Sequence, residues 1–151
     1  MAAGDREKNP YLSFRFVVEI DGIIVGGFSE VSGLQVEVDT EEYQEGGVND
    51  HVHHLLKAAK YPRLVLKRGI TDSDVLWKWQ KQIVDGAITK ETRKTINIGL
   101  LDTERKERWV WRCIDAYPVK WAGPDLNATG NNIAIESLEL VHAGIRKEKG
   151  A

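Results

Sequence analysis

Strict alternation opens the patterned part of the chain. Phe14, Phe16, Val18 and Ile20 fall on one side of an extended segment, and Arg15, Val17 and Glu19 on the other. Asp21-Gly22 follows, then Ile23-Ile24-Val25. Apolar runs on both sides of Asp-Gly predict a tight hairpin, because glycine accepts the positive φ that the turn demands. After the break at Ser32-Gly33, Leu34, Val36 and Val38 alternate with Gln35, Glu37 and Asp39, which predicts a second half-buried strand. The pattern then lapses from Thr40 to Tyr61. This stretch is polar and glycine-containing and carries three histidines, so residues 42–60 read as a long loop or an extended hairpin. Beyond Pro62, Leu64 to Arg68 predict a strand closed by Gly69.

One helix is legible. Thr71, Asp72 and Ser73 all suit an N-cap, and Asp72 and Asp74 favour the positive end of the helix dipole. Val75, Leu76, Trp79 and Ile83 recur at helical spacing as one apolar face, with Lys78, Lys81 and Gln82 facing water. Gly86 is placed to end the helix in the left-handed conformation.

Three further strands are predicted: Ile96 to Leu100, Trp109 to Ile114, and a last one beginning at Ile133 and Ile135. Leu138 and Leu140 continue that last apolar face out of phase, which predicts a β-bulge near Glu136-Ser137. Pro118 and Pro124 read as punctuation of a loop ending near Gly130. About seven strands in adjacent hairpins, with one helix, define a mainly β class: an antiparallel two-sheet sandwich or barrel with one α-helix packed on it. The expected organisation is a flexible arm at 1–11, a single domain at 12–146 and a short tail at 147–151. The charged positions Arg15, Glu19, Glu37, Asp39 and Glu136 read as a solvated or partner-facing strand surface.

Composition narrows the function. With 29% charged residues and a net charge of −2 the 151-residue chain is neither disordered nor a strongly basic nucleic-acid binder. No apolar run approaches a bilayer-spanning length, so no membrane insertion is expected, and the charged first ten residues do not read as a secretory signal. The single cysteine, Cys113, lies mid-strand and reads as a buried structural thiol.

His51, His53 and His54 are the best metal candidates, and a small metal-dependent enzyme built on them is one alternative reading. Asp50 could add an oxygen, but no fourth ligand has motif spacing, so a polar loop carrying histidines is the simpler reading. No GxSxG, P-loop or GxGxxG motif is present. The five tryptophans suit a core or an interface better than a base-stacking platform, given the charge balance. Neither catalysis nor a cofactor is expected.

The order of segments carries a resemblance. FRFVVEIDG is followed by GFSEVSGLQVEVDTEEYQEGG and YPRLVLKRGITDSDVLWKW, then INIGLLD and WRCIDAYPVKWAGPDLNATGNNIAIESLELVHAGI. Over residues 11–145 this resembles the tube-protein family of contractile phage tails and extracellular injection systems, and is similar in kind to the type VI secretion ring protein. The resemblance implies a structural subunit. Six copies would form a ring with a β-barrel wall, and rings would stack inside a sheath as a channel for cargo or DNA. Assembly would occur in the cytoplasm of the producing cell, and the subunit would then be part of the tail or tail-like particle. It also implies that residues 42–60 contact neighbouring copies. The candidate contacts are Glu42, Tyr43, Gln44, Glu45, His51, His53, His54, Leu55 and Leu56. The histidine-bearing Gly46–Lys60 stretch departs from the simplest main-tube pattern, which keeps a baseplate-proximal tube initiator as the alternative.

Overall fold

A computed structural model describes residues 10–13, 15–43, 53–86 and 89–150. The predicted Asp-Gly hairpin is present. β1 (Phe16–Ile20) turns back into β2 (Ile23–Val25), with Ile20 opposite Ile23. Asp21 and Gly22 both have positive φ, at 55° and 79°, as a turn matched to the strand twist requires.

β3 (Phe28–Ser32) is a strand the sequence pattern did not show. It ends at Gly33, and β4 starts only at Glu37 (Glu37–Tyr43), so the strand predicted from Leu34 loses its first half. The cause is local. Gly33 has φ +92°, and a Cβ there would lie 2.0 Å from the carbonyl oxygen of Arg63. The chain therefore breaks at a site only glycine fits. Nor is the remainder half-buried: Val36 and Val38 are both exposed. β5 (His53–Lys60) returns antiparallel to β4, so the long segment is an extended hairpin.

Next come β6 (Leu64–Gly69), α1 (Val75–Val84), β7 (Lys94–Leu101) and β8 (Glu107–Ala122). β9 (Ile135–Val141) and β10 (Gly144–Lys149) complete ten strands among the described residues. β8 organises the body. Its first part pairs with β7 and β10, and β7 continues to β1 and β2. Its last part pairs with β9, which continues to β6 and β3. One strand thus serves two antiparallel layers and turns between them near Asp115, whose φ is +52°. The predicted loop at Pro118 is a correction, since β8 runs through it to Ala122. The ladder tolerates proline because its register shifts between Pro118 and Lys120.

The bulge predicted near Glu136-Ser137 is also absent. β6 and β9 keep one register from Leu64–Leu140 to Gly69–Ile135. Glu136, Leu138 and Leu140 are the buried residues of β9, so a carboxylate takes the place in phase with the leucines. Glu136 is therefore not on the solvated surface where the sequence put it. The residue pattern at 147–151 reads as a tail because both its faces are polar. In the structure, Lys147 to Lys149 lie in β10 opposite Trp111 to Trp109, and the Lys147 ammonium sits 4.4 Å from the Trp109 ring centroid.

Between the layers lies the core: Val18, Ile20, Leu64, Leu66, Ile96, Ile98, Cys113, Ala116, Leu138 and Leu140, closed by Leu76 and Trp79 of α1. The helix ends as predicted, with Gly86 at φ +88° donating to the Ile83 carbonyl. Its start differs. Asp74 is the N-cap residue without a side-chain cap bond, while the Thr71 hydroxyl accepts from the Ser73 N–H. The buried face is Leu76, Trp79 and Gln80, and Val75 is exposed. Trp79 also donates through Nε1 to the Thr92 carbonyl at 2.7 Å. Trp79→Ala should cost about 3 kcal/mol in urea unfolding, the transfer and cavity contributions of a large core side chain. Val75→Ala and Lys81→Ala should each stay within about 0.5 kcal/mol. Equal losses at Trp79 and Val75 would contradict this helix orientation.

Candidate assembly surface

β4 and β5 form a two-stranded sheet apart from the eight-stranded one, and their extensive contacts are with each other alone. Register places Thr40 opposite Leu56, Glu41 opposite Leu55, Glu42 opposite His54 and Tyr43 opposite His53. Leu55 and Leu56 therefore point to opposite faces. They are 52% and 79% exposed. Val38 shares a face with Thr40 and Glu42, giving that side an apolar stripe that the body leaves uncovered. The other side is charged: Glu37, Asp39, Glu41 and Lys57. Lys60 pairs with Asp39, whose hydrogen bond and charge raise the lysine pKa. Of the predicted contact residues, Glu42, Tyr43, His53, His54, Leu55 and Leu56 lie on this hairpin. Gln44, Glu45 and His51 lie outside the described residues.

Sequence reasoning missed a second surface. An open cleft of about 670 Å³ runs between β3 and the β1–β7–β8 layer. Phe16, Phe28, Val31, Leu34, Ile98 and Trp111 form its apolar wall, and Tyr11 stands at its edge. A depression beside it shares Phe16 and is lined by Arg15 and Arg105. Arg15 donates to the Thr103 carbonyl at 3.1 Å, which ties it to the turn bearing Arg105. No sequence signal could have found the cleft, because its residues come from four segments separated along the chain and only the fold brings them together.

Two polar clusters hold the frame around these surfaces. Arg68 donates from Nε to Glu136 Oε1 at 2.7 Å, and Trp121 Nε1 donates to Glu136 Oε2 at 3.1 Å. A second Arg68 bond, 3.2 Å to the Ser73 carbonyl, fastens the segment leading into α1. At the β7–β8 turn, Asp102 Oδ1 accepts from the Glu104 and Lys106 N–H groups at 2.8 and 3.0 Å, and Oδ2 from Arg108 Nε at 2.7 Å. The backbone bond from Lys106, the Arg108 contact and the bond from Glu104 hold the Asp102 carboxyl well below the usual carboxylate range, against the opposing effect of desolvation.

A depressed folded pKa has a definite sign. The stabilisation is present above the unfolded aspartate value, about 3.9, and is lost as pH falls towards the folded value. Asp102→Asn should therefore lower stability at neutral pH and flatten its decline in acid. Thermal melts at pH 7, 5 and 3 test this, and an unchanged acid slope would contradict it. Cys113 is fully buried, and burial pushes its thiol up to about 11, which suits a structural side chain. Among the described residues, no three His, Cys, Asp or Glu side chains gather as a metal site, and no helix is long and apolar enough to cross a membrane.

A two-layer antiparallel body, one covering helix and a detached hairpin with one apolar and one charged face fit a β domain of the tail-tube class. Residues 12–146 match the family model described as T4-like virus tail tube protein gp19, and the chain belongs to that family. The expected fold is confirmed with it. Among solved structures, the chain is similar to one in the tube-terminating cap of the anti-feeding prophage, with 24% identity and TM-score 0.81 over 94% of this chain and 93% of that one. It is similar to another in the anti-feeding prophage baseplate, with 25% identity and TM-score 0.77 over 93% and 96%. A third, in the sheath-tube complex of an extracellular contractile injection system (PVC) in the extended state, gives 22% identity and TM-score 0.83 over 99% of both chains. No curated protein matches the sequence.

Proposed function

We propose that this protein is the repeating subunit of the inner tube of a contractile phage tail or tail-like injection particle. Six copies form each ring, and rings stack into a channel for cargo. The sheath surrounds the tube, and baseplate and initiator proteins meet its end. Family membership supports the tube reading, and the sheath-tube and baseplate settings of the similar structures support the partners. The single observation that carries self-assembly is the β4–β5 hairpin. It shows Val38, Leu55 and Leu56 to solvent, and among the described residues no element covers them. Apolar side chains on a two-stranded arm gain burial only against another chain.

Negative-stain microscopy with sedimentation tests the reading. Rings or tubes of even diameter are the expected result. A strict monomer at high concentration would count against it. Copy number in the assembled particle separates the repeating subunit from a tube initiator, which would be present in one or a few rings.

A further inference from the structure

The hairpin and the cleft are complementary in character: each sets exposed apolar side chains beside a charged group, of opposite sign. One face of the hairpin presents Val38 and the Thr40–Leu56 pair, with Glu42 next along β4. Along β4, Val38 to Glu42 spans about 13 Å, so apolar and acidic contacts are offset along one strand face. The cleft likewise sets an apolar wall beside a charged end, with the charge reversed. Its wall is Phe16, Phe28, Val31, Leu34 and Trp111, and the adjoining depression carries Arg15 and Arg105. Its volume of about 670 Å³ accommodates several aliphatic side chains. The hairpin makes no extensive contact with the strands of its own chain that line the cleft. Glu30, the one carboxylate lining the cleft, is already engaged by Lys67 at 3.2 Å. Glu42 is the acidic residue of this face, while Glu37, Asp39 and Glu41 lie on the opposite one, so a basic group fits the Glu42 end and an acidic one repels it.

From this we infer that the Val38–Leu56 face of one copy's hairpin seats in the Phe16–Trp111 cleft of a neighbouring copy, with Glu42 against Arg105. The inference rests on the tube reading and names the contact that joins the subunits. A contact from one patch to a different patch is head-to-tail, the kind that closes rings or extends filaments. The apolar residues supply the burial, and the Glu42–Arg105 pair sets orientation.

Charge exchange in the 151-residue chain tests it. Glu42→Arg and Arg105→Glu should each weaken self-association by about tenfold or more in sedimentation velocity, since each sets like charges together. The double variant should recover to within about threefold of wild type. Both positions are exposed, so melting temperatures should stay unchanged and separate contact loss from unfolding. A chain that assembles while the double variant does no better than the singles overturns this contact and leaves the tube reading standing. A wild-type chain that stays monomeric at every concentration overturns both. A silent Glu42→Arg, with assembly lost on removing residues 1–9, overturns the inference by assigning the cleft to the chain's own N-terminal segment.

Discussion

A chain carrying Leu55→Asp and Leu56→Asp will melt with the wild type and form no rings. Both leucines are largely exposed on a hairpin that makes no extensive contact with another element among the described residues, so the substitutions remove little from the folded monomer. Exposed changes of this kind fall within about 0.5 kcal/mol. In an assembly each face of the hairpin can be covered, and an unpaired carboxylate buried there costs several kcal/mol or prevents the contact. The cost recurs at every subunit interface of a ring, so partial assembly is not expected. Sedimentation beside a thermal melt gives the answer. Normal rings would remove the hairpin from the interface, and a lowered melting temperature would show that it belongs to the body.

The second large effect lies inside the protein. Glu136→Ala should destabilise by about 3–5 kcal/mol, because it leaves the Arg68 guanidinium buried without its counter-charge. Arg68 is 3% exposed, so water cannot replace the lost carboxylate without rearrangement. The change also frees Trp121 Nε1 and loosens the segment that Arg68 ties to Ser73. An apolar double replacement, Arg68→Met with Glu136→Leu, should recover much of the loss, since removing both charges removes the desolvation cost as well. Urea unfolding of the three variants decides it. A loss under about 1 kcal/mol for Glu136→Ala would mean that solvent reaches the pair.

Local chemistry made some features legible. Asp21-Gly22 specified its turn because positive φ is a property of two adjacent residues. Gly86 specified the helix end for the same reason. Leu64 to Arg68, Ile96 to Leu100 and Trp109 to Ile114 specified strands because each alternates over one buried face. The segment order also carried the family. The polar stretch at 42–60 was legible as an extension lacking a core of its own, and part of it is the hairpin on which the assembly reading rests.

Other features depend on partners distant in sequence. β10 has no apolar rhythm and exists because Lys147 to Lys149 find the ladder of Trp111 to Trp109. Glu136 reads as solvated until Arg68, from a strand 68 residues earlier, meets it inside the core. That pairing keeps β9 in one register, where the side-chain pattern suggested a slip. Val75 follows the helical period but faces water, because the helix turns Leu76, Trp79 and Gln80 inward and sets Trp77 against Trp121. The cleft belongs to no segment at all. Periodicity in one chain determines which residues seek burial, through spacings of two or 3.6 residues. Tertiary structure decides which are granted it, because burial requires a second surface, and for Val38, Leu55 and Leu56 none of the described residues supplies one.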